Sequence, residues 1–388
     1  MAADGGRRGY QLLLDDFWDD ARGNEISLRV DKPVSAAAFC NARKKLEPSA
    51  VRQLLCDTSS AFDRCHGARH RLKGRRVLAV DGSRFSLQRA PELWAEFGGP
   101  TNGYTPQASV SVLFDVIAKM PMDVTITPFN SSERDQLEPL LSSTRAGDIM
   151  LLDRGFPSYA LIDLLIERGL DFVIRVKETR GFHAVEEFVR SGRQEADIVL
   201  DPGRCRPPLK LPPRKLRVVR RDGPNGEAQV VITTLARREF RHETICDLYH
   251  RRWQIELFYR LEKSDYVGHR QFHAKHVQGI KQEVFAFLLF TAISRTLMAV
   301  AARTHRVPYE RIAQKGALLA TARHLTTVLL ESDRARAREI LAELLTRIAA
   351  RLDPPPRQRS YPRRSFKPRS RWGPDGHVRD PARQGKLG

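Results

Sequence analysis

From Val77 the chain carries four apolar residues in a row and then turns polar at Asp81-Gly82. A second unbroken apolar run, Ile149 to Leu152, ends in the same way at Asp153-Arg154-Gly155. Runs this short with no polar interruption suit strands covered on both faces. Between them, Ala108 to Ile117 and Met122 to Thr127 read as two more strands joined by a turn at Lys119-Met120-Pro121. Leu137 to Ser142 has a helical pattern, Ser158 to Arg168 is an amphipathic helix closed by Gly169, and Phe172 to Val176 is a fifth strand. The order is three strands, helix, strand, helix, strand, and it makes this segment α/β.

The flanks have other textures. Residues 1–70 read as helical: Tyr10 to Trp18, then Ala36 to Leu46 with Ser35 as N-cap, then a helix opened by Pro48 or Ser49 and running toward Phe62. In the second of these, Arg43, Lys44 and Lys45 form either a DNA-contacting face or an ordinary solvated one. Residues 178–240 break the α/β alternation with Pro207, Pro208, Pro212 and Pro213, and strands at Leu216 to Val219 and Gln229 to Thr234 flank a turn at Asp222 to Gly226, so the segment reads as a β-rich insertion. One long helix is expected from Glu243 to Lys263, and helical patterns continue to Leu352. The segment 351–388 holds 11 Lys+Arg against 3 acids, is rich in Pro, Ser and Arg, and reads as a basic tail disordered on its own.

Charge narrows the class of partner. The 66 Lys+Arg and 46 Asp+Glu leave a formal charge of +20 on 388 residues, which implies a polyanion: nucleic acid, or less often an anionic membrane surface. The longest apolar run, Val284 to Ile293, is well short of the ~18–20 residues of a membrane span. The acidic start does not read as a signal peptide, and five cysteines without a Cys-x-x-Cys pair suit a reducing, cytoplasmic setting. Cys56, Cys65, His66 and His70 match no common zinc spacing.

Asp81 and Asp153 each end a buried strand, where α/β sheets open onto their reactive crevice. Either one alone reads as a turn cap; two in one sheet make an oxygen-only pair suited to Mg²⁺. On the helix from Glu243, Tyr249, Arg252, Glu256 and Lys263 fall within roughly 60° of one another at about 100° per residue. A phenol, a guanidinium, a carboxylate and an ammonium thus share one face, either as a salt-bridged surface or as a grip on a phosphodiester.

These motifs resemble the DDE transposases of bacterial insertion sequences, in the branch with the Tyr-(2)-Arg-(3)-Glu-(6)-Lys signature (insertion-sequence family four). The signature reads YHRRWQIELFYRLEK, the first-Asp motif VLAVDGSRFSL, and the second GDIMLLDRGF, with GYTPQ at 103–107 and RSYPRRSFK in the tail also similar. The resemblance runs from about Val34 to Lys367. It implies an α/β fold with an RNase H-like core over 71–177 and 241–300, interrupted by the insertion at 178–240 and flanked by helical regions at 1–70 and 301–350. It implies Asp81, Asp153 and Glu256 as catalytic carboxylates holding two Mg²⁺ ions, for which Mn²⁺ substitutes. Two such ions roughly 3.5–4 Å apart stabilise the attacking and leaving oxygens of an in-line displacement. Water would free a 3′-OH at the element end, and that hydroxyl would attack target DNA. Tyr249, Arg252 and Lys263 would grip DNA; Arg154 would either add to that grip or form a salt bridge, and Trp253 would either stack on a base or pack in the core. The partners implied are terminal inverted repeats and target DNA, with a homodimer on two DNA ends and no membrane. None of the four tryptophans, Trp18, Trp94, Trp253 and Trp372, lies in the insertion, where relatives that form hairpins carry a base-holding aromatic. The alternatives are a DNA-binding protein that no longer cuts and an RNase H-like nuclease without strand transfer.

Overall fold

The computed structural model describes residues 9–26, 28, 32–101, 103–179, 181–204, 208–222, 228–261 and 272–354. Lys263, Trp372 and the basic segment from 355 onward lie outside the described residues. The chain divides into two units, Met1–Leu352 and Asp353–Gly388. The boundary expected at 351 therefore falls slightly later: the Arg351 carbonyl accepts the Ala313 N–H at 2.8 Å, and Leu352 pairs with Ile312.

Eight strands make one sheet: β1 Val77–Ser86, β2 Gln107–Asp115, β3 Met120–Pro128, β4 Ile149–Leu152, β5 Asp171–Arg175, β6 Glu195–Leu200, β7 Arg214–Asp222 and β8 Ala228–Thr233. Their order is β3-β2-β1-β4-β5-β8-β7-β6, with β1, β4 and β5 mutually parallel and the other neighbours antiparallel. Residues 178–240, expected as an interruption, thus continue the sheet: β8 pairs with β5 through Val173↔Thr233. β4 is buried throughout, as its unbroken apolar run requires.

β1 differs from expectation. It does not stop at Asp81 but runs on to Ser86, paired along its length with β2 from Leu78↔Asp115 to Ser86↔Gln107. On its other edge β4 pairs only with Val77–Ala79. Val77 to Val80 are therefore buried, while beyond them exposed and half-buried residues alternate. The apolar run marks where the strand is covered, not where it ends. The β2–β3 turn also comes earlier than expected, at Val116–Lys119, because the Asp115 carboxylate accepts the N–H groups of Ile117 and Ala118 at 3.0 and 2.9 Å and Lys119 takes a left-handed φ of 54°.

The helices are α1 Tyr10–Gly23, α2 Ala36–Arg43, α3 Pro48–His66, α4 Pro91–Phe97, α5 Glu133–Leu137, α6 Tyr159–Glu167, α7 His183–Arg190, α8 His242–His250, α9 Trp253–Leu261, α10 Val277–His305, α11 Gln314–Leu330 and α12 Arg334–Ala349. Ser35 caps α2 by accepting the Ala38 N–H at 3.2 Å. Arg43 belongs to no exposed basic face. Its guanidinium pairs with Glu283 and hydrogen-bonds Gln282 and Tyr10, which ties α1 and α2 to α10. α10 is long and apolar enough to match a membrane span in composition, but 67% of its apolar window is buried against the rest of the fold. It packs on α3, α12 and β3 through residues such as Ile280, Val284, Leu288 and Met298, each contributing about 1.5–3 kcal/mol of burial.

The helix expected over 243–263 is two helices. α8 ends at His250 and α9 begins at Trp253. Across the break, the N–H groups of Arg252, Gln254 and Ile255 bond three residues back, to Tyr249, Arg251 and Arg252. This tighter turn keeps residues three apart on one side, so Tyr249 and Arg252 remain neighbours.

Candidate active site

In the β1–β4 register Ala79 stands beside Leu151; Asp81 lies two residues on along β1, and Asp153 directly follows the end of β4. The Oδ1 of Asp81 accepts the Gly82 N–H at 2.9 Å; that of Asp153 accepts the Arg154 N–H at 2.7 Å and the Tyr249 hydroxyl at 3.3 Å. Gly82 has a steric reason for its identity: a Cβ there would meet the Ser111 Oγ at 2.9 Å.

α9 brings the third carboxylate. Glu256 lies in its first turn and accepts from the Arg252 Nη2 at 2.6 Å; the same Nη2 is 3.9 Å from Asp153 Oδ2. The guanidinium also lies 5.8 Å from the Tyr249 ring centre. Its Nε is buried without a hydrogen-bond partner among the described residues. α9 is held to the sheet by Tyr259, whose hydroxyl reaches the carbonyls of Asp81 at 2.8 Å and Val110 at 3.0 Å.

A cavity of about 400 Å³ is lined by Asp81, Asp153 and Glu256 together with Ser83, Arg252 and Tyr259, with Arg260 at its edge. Burial pushes the Asp81 carboxyl up to about 6, with Glu256 and Asp153 adding to the rise and Arg252 and the Gly82 N–H opposing it. Tyr249 is raised by burial and by Asp153. Burial works against the Arg252 charge, but Tyr249, Asp153 and Glu256 outweigh it and hold the guanidinium above its usual value.

The site residues expected from sequence are placed as follows. Asp81, Asp153, Arg252 and Glu256 share the cavity, and Tyr249 touches Asp153. Arg154 is exposed and makes no ion pair among the described residues; Trp253 is half-buried. Lys263 lies outside the described residues. Ser83, Tyr259 and Arg260 were not expected, although Tyr259 and Arg260 sit three and four residues after Glu256 and so share its helix face. For a metal, the donors are oxygens only, as Mg²⁺ requires. Among the described residues no three Asp, Glu, His or Cys side chains are gathered into a closed ligand set. Instead Arg252 supplies the positive charge that two of the carboxylates share. The donor chemistry fits Mg²⁺, provided Arg252 releases Glu256.

The model of the "Transposase DDE domain" matches residues 72–293, more than half of the chain. The "Transposase InsG for insertion sequence element IS4" of Escherichia coli is 23% identical over 278 residues, covering 68% of this chain and 62% of that protein. The "Probable transposase for insertion sequence element IS5377" of Geobacillus stearothermophilus is 26% identical over 194 residues, 48% of each chain. The chain thus spans about half to three-fifths of the length of these relatives. Among solved structures, a synaptic complex of the piggyBac transposase with hairpin DNA matches with a TM-score of 0.42 at 9% identity, covering 78% of this chain and 60% of that one.

Proposed function

Because the chain belongs to the family of DDE transposases, we propose that it is the DNA transposase of an insertion sequence, cutting phosphodiester bonds at the element's ends and joining the freed ends to target DNA. The observation that carries this reading is the convergence of Asp81 from β1, Asp153 after β4 and Glu256 from α9 on one cavity, beside a guanidinium with an unpartnered N–H. An RNase H-like core is supported by the strand order β3-β2-β1-β4-β5, with β4 and β5 parallel to β1.

Asp81, Asp153 and Glu256 would hold Mg²⁺, which supplies charge neutralisation at the phosphoryl oxygens and an acidified water when bound. The chain's own residues prepare the site. Tyr249 orients Asp153 by donating to its Oδ1, and Tyr259 fixes the backbone of Asp81 against α9. Arg252 is poised for exchange: a backbone phosphate satisfies its Nε and Nη2 together, which frees Glu256 to act as a ligand. Hydrolysis joins the water oxygen to phosphorus and releases the 3′ oxygen as a hydroxyl. In strand transfer that hydroxyl bonds to a target phosphorus and displaces the adjoining 3′ oxygen. Tyr249, Arg252, Lys263, Arg154 and Trp253 would contact the DNA. The acting form would be a homodimer on two terminal repeats, at work on cytoplasmic DNA.

The test is incubation of the purified chain with its own flanking DNA and Mg²⁺, followed by mapping of the ends. Cutting at the element ends with 3′-OH termini and subsequent joining is expected. Asp153→Asn should abolish cutting and leave binding within a few-fold; equal cutting by that variant would sink the carboxylate assignment. Cutting without joining would mark a nuclease, and binding without cutting a derived DNA-binding protein.

A further inference from the structure

A second large cavity, of about 420 Å³, shares no lining residue with the first. It lies between α11 and the end of α12 and is lined by Arg323, His324, Arg347 and Arg351, with Leu319 half-exposed at its side. Three arginines, all solvent-exposed, line one half-open cleft. The carboxylate beside them is Glu343, and it is already taken by Arg347, whose Nε reaches it at 3.1 Å. Arg323 and Arg351 make no side-chain hydrogen bond or ion pair among the described residues. The ring Nε2 of His324 is buried and also without a hydrogen-bond partner. Burial lowers the His324 pKa, Arg347 and Arg323 lower it further, and Glu343 opposes them.

The sequence makes room for one of these cations. Gly316 stands in the first turn of α11. A Cβ at Gly316 would meet the Arg351 Cδ at 3.0 Å. The glycine lets the Arg351 stem lie against the helix, which holds its charged end at the cavity. Like charges crowded together without counter-ions repel one another, so an arrangement of this kind is stabilised by an anion from outside.

We infer that this cavity is a second DNA site, a cationic seat for backbone phosphates of duplex lying outside the stretch that is cut. The inference rests on the reading of DNA as the partner. It assigns to the helical C-terminal region a role in holding DNA that is separate from the carboxylate chemistry. The recognising chemistry is guanidinium to phosphate, so free phosphate is the competing source.

The experiment uses the full chain and a labelled duplex carrying an element end, with binding measured between about 50 and 200 mM salt. Arg323→Ala/Arg351→Ala is compared with Arg334→Ala/Arg338→Ala, which removes the same charge from exposed positions on α12 away from the cavity. The cavity pair should weaken binding about tenfold near physiological salt and flatten the log–log salt slope by about 1 to 2 units, since each phosphate contact contributes about 0.9. The α12 pair should change the slope by less than about half a unit, and Arg323→Lys/Arg351→Lys should restore most of it. Equal effects from the two alanine pairs would overturn the site. So would a cavity pair whose only defect is loss of thermal stabilisation by inorganic phosphate, with its DNA slope intact; the cavity would then be a small-anion site. Wild-type protein that fails to bind the duplex would instead remove the DNA reading itself.

Discussion

Asp81→Asn should stabilise the metal-free protein above neutral pH while removing one of the three carboxylates proposed to hold Mg²⁺. Burial raises the Asp81 carboxyl from 3.8 to about 6. Between those values the folded protein binds more protons than the unfolded chain, so folding stability falls as pH rises through the window. Below about pH 4 the group is neutral in both states and the penalty is absent; above about pH 6 it is fully present. A shift of about two units corresponds to about 3 kcal/mol, an upper figure for a half-buried carboxylate. Asparagine keeps the acceptor for the Gly82 N–H and carries no charge, so it escapes this cost. At about 2 cal/mol/K per residue, 3 kcal/mol in a unit of this size moves Tm by about 4 °C. The assay is thermal denaturation of wild type and variant with chelator at pH 4, 6 and 8. The difference should be near zero at pH 4 and reach its maximum at pH 8. Added Mg²⁺ should then raise the wild-type Tm and leave the variant behind, by mass action on the folded state. A variant no more stable than wild type at pH 8, or a gain independent of pH, would refute the assignment of Asp81 as a buried, charge-penalised ligand.

Two further outcomes follow from the same geometry. Arg252→Ala removes the largest effect holding the Asp81 carboxyl down, so the Asp81 titration midpoint, read by carboxyl NMR, should move above about 6; an unchanged midpoint would place the guanidinium outside the site's field. Tyr259→Phe deletes the hydroxyl that reaches the Asp81 and Val110 carbonyls and should cost about 1–3 kcal/mol in urea denaturation, with an unaltered midpoint showing that packing alone holds α9 on the sheet.

Some of the fold was legible because local pattern decided it. Ile149 to Leu152 is a strand for the reason its sequence states: no polar position interrupts it, so both faces must be covered. Ser35 caps its helix because its hydroxyl answers an N–H three residues on; Ser158, read as the first residue of its helix, is the cap there by the same bond. The same pattern misjudged β1, because period and apolarity register burial and are blind to a neighbour that stops pairing after Ala79. It also missed the break at Arg251–Arg252. Helical periodicity continues through that point, and a turn of three-residue hydrogen bonds barely disturbs the angular order of Tyr249, Arg252 and Glu256.

Charge shows the limit most clearly. A net +20 makes a polyanion the expected partner, and the motifs around Asp81, Asp153 and Glu256 resemble the family's; both are properties of composition and spacing, which the linear chain carries in full. Which cations remain open to a partner is not such a property. Arg43, in a run of three basic residues, is consumed by Glu283 of a helix 240 positions away. Arg323 and Arg351 come together without counter-ions among the described residues because α11 and α12 pack on each other and Gly316 leaves room for the Arg351 side chain. An ion pair depends on a few ångströms of separation, and only tertiary packing sets distances between residues so far apart in the chain.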